Sequence, residues 1–131
     1  MATEATDQQR RDQVAEATRN AEQTMRPQSV PVNVYDTDSA MVVVAPLPAV
    51  QPEDVTIRLK PGVLRITAHV RSAGGRDYRI HEWDYGGYER ELEVPDGFGG
   101  GVEASLANGQ LAVRVLRGRS DDELTVSPTA H

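Results

Sequence analysis

Three histidines, His69, His81 and His131, are the side chains best suited to bind a metal or move a proton near neutral pH. A zinc site needs several ligands at short, defined spacings, and neither His69 nor His81 has a second ligand so placed. Both read as surface residues, and no metal site is expected. Glu82 and Asp84 flank Trp83, a combination of acids and an aromatic that a sugar-cleaving site would use. On a strand, however, the two acids would share one face and the indole would take the other. The segment therefore reads as a loop or a contact surface. Gly97, Gly99, Gly100 and Gly101 form a glycine-rich run, but no Lys-Ser or Lys-Thr follows and no helix opens there. It reads as a flexible connection between strands, and no nucleotide or other cofactor is expected. The chain has no cysteine, which removes disulfides, thiolate metal sites and thiol catalysis together. With no nucleophile, base and orienting group recognisable together, the chain is not expected to be an enzyme.

The scaffold that carries these residues is bounded by composition. A length of 131 residues allows one domain with a modest core. Aromatics make up only 5%, so that core must be mainly aliphatic. The formal charge of −6 argues against nucleic acid as a partner and against an anionic membrane surface. No apolar run approaches the roughly 20 residues that span a bilayer, so no integral membrane segment is expected. The opening residues MATEATDQQRRDQ contain no apolar stretch of the secretory kind, and a cytoplasmic location is the expectation.

Three regions follow along the chain. Residues 1–29 are polar, with a thin stripe of Val14, Ala17, Ala21 and Met25 at helical spacing. This arm is expected to be helical or disordered. Residues 30–118 change to short β-branched runs broken by Pro, Gly, Asn and Asp, the pattern of an all-β sandwich. Val30, Val32 and Val34 alternate with polar or proline positions, and Met41 to Ala45 is continuously apolar, as a strand covered on both faces would be. Val55, Ile57 and Leu59 alternate with Thr56, Arg58 and Lys60. After the turn signal Pro61-Gly62, Leu64, Ile66 and Ala68 do the same. Tyr88, Arg90, Leu92 and Val94 share one face of a further strand, and so do Val102, Ala104 and Leu106. Asn108-Gly109 is the strongest hairpin signal, since both residues tolerate positive φ. It leads into Leu111, Val113 and Val115. No helix-length amphipathic pattern interrupts the region, which argues against a parallel βαβ fold. Residues 119–131 are polar apart from Leu124 and Val126.

Several of these segments, in this order, resemble the alpha-crystallin domain of small heat-shock proteins of the bacterial type. Ala104-Ser105-Leu106-Ala107-Asn108-Gly109-Gln110-Leu111-Ala112-Val113 is similar to the family's signature near the end of the domain. Pro52-Glu53-Asp54-Val55 to Leu59 and Gly62-Val63-Leu64-Arg65-Ile66 resemble its paired core strands. Tyr85-Gly86-Gly87-Tyr88-Glu89-Arg90 to Val94-Pro95 resembles its G-x-F-x-R … L-P element, with Tyr88 and Val94 as variants. The resemblance implies a two-sheet antiparallel, immunoglobulin-like sandwich that holds non-native proteins without ATP, as part of a stress response. It also implies self-association. A loop of about Arg71 to Trp83 would carry Tyr78-Arg79-Ile80-His81 to a partner subunit as an exchanged strand, with Tyr78, Ile80, Trp83 and Arg90 at the dimer interface. Higher oligomers would follow from docking of the tail.

Leu124-Thr125-Val126 resembles the family's C-terminal Ile-x-Ile/Val motif, which enters a groove on a neighbour. Residues two apart in an extended segment point the same way, so Leu124 and Val126 would enter together while Thr125 faces out. The groove would be lined by Val55, Ile57 and Leu59 on one strand and Val102, Ala104 and Leu106 on another. The other reading is that Leu124 and Val126 are isolated apolar residues in a free tail. For Arg90 the alternative to an interface role is an edge residue whose guanidinium reaches water. The arm departs from the family, being short and polar where an apolar, Phe-rich arm is usual; the chain's single Phe is Phe98. That departure motivates a second function: a dedicated structural or assembly factor that uses the same sandwich to bind one specific partner.

Overall fold

The computed structural model describes residues 27–69, 77–82 and 87–130. The strands are β1 (Gln28–Ser29), β2 (Asn33–Asp36), β3 (Ala40–Pro46), β4 (Val55–Lys60), β5 (Val63–Ala68), β6 (Tyr88–Glu93), β7 (Phe98–Ala107), β8 (Gln110–Arg117), β9 (Leu124–Val126) and β10 (Thr129–Ala130). They form two five-stranded sheets, ordered β1-β6-β5-β4-β9 and β10-β7-β8-β3-β2. The result is an all-β sandwich. The stripe at Val14, Ala17, Ala21 and Met25, together with Trp83, Asp84 and His131, lies outside the described residues.

Alternation dictates which side chains meet. Val55, Ile57 and Leu59 of β4 and Leu64, Ile66 and Ala68 of β5 face inward from the first sheet, and all are buried. Met41, Val43 and Ala45 of β3 and Leu111, Val113 and Val115 of β8 meet them from the second. The intervening residues of β4 and β5 carry Arg58, Lys60 and Arg65 to solvent, so one face of this sheet is core and the other is charged. β3 is buried on both faces, Ala40 and Val42 included, as its unbroken apolar run requires.

The turns follow residue chemistry. β7 and β8 are joined by Asn108 at φ 53 and Gly109 at φ 74, the two positive angles of the turn type that matches strand twist. β4 and β5 are joined by Pro61 and Gly62.

Three expectations need correction. Val30 to Tyr35 is not one strand: Pro31 has no N–H for a ladder, so the chain turns Val30 into the core at 1% exposure and pairs only from Asn33 onward. The glycine run is not a flexible connection but the start of β7, with a register shift between Phe98 and Gly101. Glycine is needed there because a Cβ on Gly100 would collide with the Arg117 carbonyl oxygen. Finally, two edge pairings are parallel, β1 with β6 and β10 with β7. Both involve segments outside the hairpins, which return to the sheets after long excursions, as parallel pairing demands.

Candidate functional site

The long sides of the sandwich end differently. On one side, β4 of the first sheet and β7 of the second leave a groove between their inward faces. Ile57 and Leu59 are buried at its floor, Leu106 is nearly so, and Val102 and Ala104 are half-buried. β9 lies in this groove. It pairs antiparallel with β4 in the register Leu59 with Leu124, Arg58 with Thr125, and Ile57 with Val126. Residues directly opposite on paired strands share a face, so Leu124 and Val126 point inward onto the core and Thr125 points outward. The groove holds the tail of its own chain.

Beyond β9 the chain crosses to the other sheet. Pro128 is buried at the crossing. Thr129 and Ala130 then pair parallel with Ser105 and Leu106 of β7, and the Thr129 hydroxyl donates to the Ala104 carbonyl at 3.3 Å. The lead-in is folded back as well. Gly118 N–H donates to the Gly97 carbonyl at 3.0 Å, Asp122 N–H donates to Ser120 Oγ at 3.2 Å, and Glu123 pairs with Arg58 at 3.6 Å. The sequence pattern located Leu124 and Val126, but not Pro128 to Ala130, whose polar and small side chains carry no periodic signal.

On the opposite side β2 ends the second sheet, and among the described residues nothing pairs with its outer edge. It presents Val34 and Tyr35, exposed by 48% and 55%. Two other large apolar side chains are as exposed: Tyr78 and Ile80, in the segment 77–82. Tyr78-Arg79-Ile80-His81, expected as an exchanged strand, is irregular here, with Tyr78 and His81 rings stacked at 4.9 Å. A strand exists only where a ladder partner exists, and the segment reaches none within the described residues. Val34 and Tyr35 alternate like core residues, so pattern reading assigned them no role at an edge.

Arg90 lies on the inward face of β6 opposite Ile66, half-buried. Its Nη1 donates to the Val30 carbonyl at 3.3 Å. The returning β1 segment thus satisfies part of a guanidinium that faces the core. Tyr88, two residues before it, has its hydroxyl held above the usual tyrosine pKa by burial, and donates to the Pro48 carbonyl at 3.5 Å. On the outward face, Arg65 reaches both Glu89 and Glu91 at 3.5 Å.

A family model described as the Hsp20/alpha crystallin family matches residues 33–127, which takes in both edges, the groove and β9. The chain belongs to the Hsp20/alpha crystallin family. It is thereby a small heat-shock protein, of a family whose members are chaperones, form oligomers and are in general not enzymes. The fold agrees with solved structures of the family. The hspA of Xanthomonas axonopodis superposes with a TM-score of 0.62 at 23% identity, covering 69% of this chain and 94% of that one. A small heat-shock protein from Xylella fastidiosa gives 0.60 at 22% identity, covering 70% and 87%. HSP18.5 from E. histolytica gives 0.59 at 18%, covering 72% and 94%. No curated protein matches this chain in sequence. Among the described residues, no helix of this small heat-shock protein is long and apolar enough to cross a membrane.

Proposed function

We propose that the protein is an ATP-independent holdase, which binds non-native proteins in the cytoplasm and prevents their aggregation. The observation that carries this reading is the groove between β4 and β7, which takes an extended segment by strand addition, with side chains two apart entering an apolar floor. Non-native chains expose segments of that kind, and a surface that binds them lowers the concentration free to aggregate. No nucleotide chemistry is required. Proteins that scatter light on heating, such as two or three unrelated enzymes, test it. A stoichiometric excess of this chain should suppress the scattering of each, and undiminished scattering of all of them ends the reading.

The working unit in this proposal is a dimer. The open edge of β2, with Val34 and Tyr35, is the acceptor, and the segment Tyr78 to His81 of a second copy is the added strand. The exposure of Tyr78 and Ile80, large apolar groups left in water, supports the pairing. Arg90, on the inward face of β6, would sit near this contact, as would Trp83. A second reading remains, of an assembly factor for one partner. It is favoured by the polar segment before Val30. Pull-down from lysate decides between them: one stoichiometric partner at all temperatures supports the second, and a heat-dependent mixture supports the holdase.

A further inference from the structure

We infer that residues 124–130 act as a clasp closed within each subunit, and that the groove becomes available to extended apolar segments of other chains only when the clasp opens. The gating half of this inference rests on the holdase reading; the closure within one subunit does not.

The geometry carries the closure. The tail does not merely lie on one strand: β9 adds to β4 of the first sheet and β10 adds to β7 of the second, so the segment straps both lips of the groove. The residue that crosses between them is Pro128, which is buried and has no N–H to leave unsatisfied. Six residues, 118–123, separate β8 from β9, and their hydrogen bonds to Gly97 and within the turn, with the Glu123–Arg58 pair, direct the tail onto its own subunit. A tether this short holds its end at an effective concentration of about millimolar, far above that of a neighbour's tail at micromolar protein. Closure within the subunit therefore wins over docking between subunits.

The same segment is built to open. β9 is three residues long, and Leu124 and Val126 are only half-buried, whereas Ile57 and Leu59 beneath them are closed off from water. Little apolar area is lost when the strap lifts, but an apolar floor is uncovered. That difference places the clasp at the low-stability end of the fold.

The absence of cysteine gives a clean test. Arg58 and Thr125 are directly opposite and both exposed, so Arg58→Cys and Thr125→Cys place two thiols about 5 Å apart at Cβ, within reach of a disulfide after small adjustment. Oxidised at micromolar concentration, the double variant should run as a single chain on a non-reducing gel. An equal mixture of the two single variants should give no covalent pair. Covalent pairs from the mixture, or a ladder from the double variant, would show docking between subunits and overturn the closure. The far-UV spectrum of the reduced double variant checks that it folds. Scattering assays then read the gate: the oxidised form should suppress aggregation several-fold less than the reduced form. Equal suppression by both overturns the gating. If neither form suppresses, the holdase reading fails and the gate with it, while an intrachain disulfide leaves the closure standing.

Discussion

Leu59 and Leu124 face each other across β4 and β9, and truncating each to Ala should have very different consequences. Leu59 is 2% exposed inside the core cluster. Removing its methyl groups leaves a cavity, and buried Leu→Ala changes cost about 3–5 kcal/mol. Against a typical total of about 5–15 kcal/mol, that is a large share of the fold's stability. For a domain of this size it should lower Tm by roughly 10–20 °C or more. Leu124 is half-buried at the rim, and β9 can resettle around a smaller side chain. Its truncation should cost about 1–1.5 kcal/mol, half or less of a buried Leu. Since about 1.4 kcal/mol is tenfold in an equilibrium, the ratio of closed to open tail should fall about tenfold. Thermal melts followed by circular dichroism read the first effect, and hydrogen exchange of the segment 55–60 reads the second. Leu59→Ala should lose tens of per cent of its folded temperature range. Leu124→Ala should melt within a few degrees of the parent while β4 amides exchange about tenfold faster. A Tm loss as large for Leu124→Ala as for Leu59→Ala would refute the argument, because β9 would then be part of the core. Unchanged exchange in β4 would refute it from the other side.

Ile80→Asp places a charge on the exposed apolar group of the segment proposed to reach β2 of a second copy. The mass in solution should fall from two subunits to one with an unchanged spectrum, and an unaltered mass would remove the exchange. Gly100→Ala forces a methyl into the Arg117 carbonyl, which is backbone and cannot swing aside. A loss of about 1–3 kcal/mol in urea denaturation is expected, the usual cost of overpacking. Burial holds the Tyr88 hydroxyl above its ordinary pKa of 10.0, so on raising pH the unfolded chain loses this proton first. Tyr88 therefore withdraws stability as pH rises past 10.0 toward its folded pKa, and Tyr88→Phe should flatten the fall in urea midpoint across that window.

Much of the architecture was legible in the chain because each strand solves a local problem. Period-two alternation at Val55 to Leu59, Leu64 to Ala68 and Leu111 to Val115 fixes which face is buried, whatever the partner. Asn108-Gly109 and Pro61-Gly62 fix the two tight hairpins through backbone angles alone. The spacing of Leu124 and Val126 fixes that they face the same way. Tertiary structure decided whatever depends on two segments distant in the chain meeting. Whether Gly97 to Gly101 is a loop or a bulged strand depends on how closely Arg117 approaches Gly100. Whether Val34 is core or rim depends on how far the first sheet extends over β2. Which carbonyl meets Arg90 depends on where the chain at Val30 returns. The tail is the plainest case. Its sequence determined an extended apolar pair that fits a groove, while the reach of six residues and a buried Pro128 decided that the groove it fills is its own.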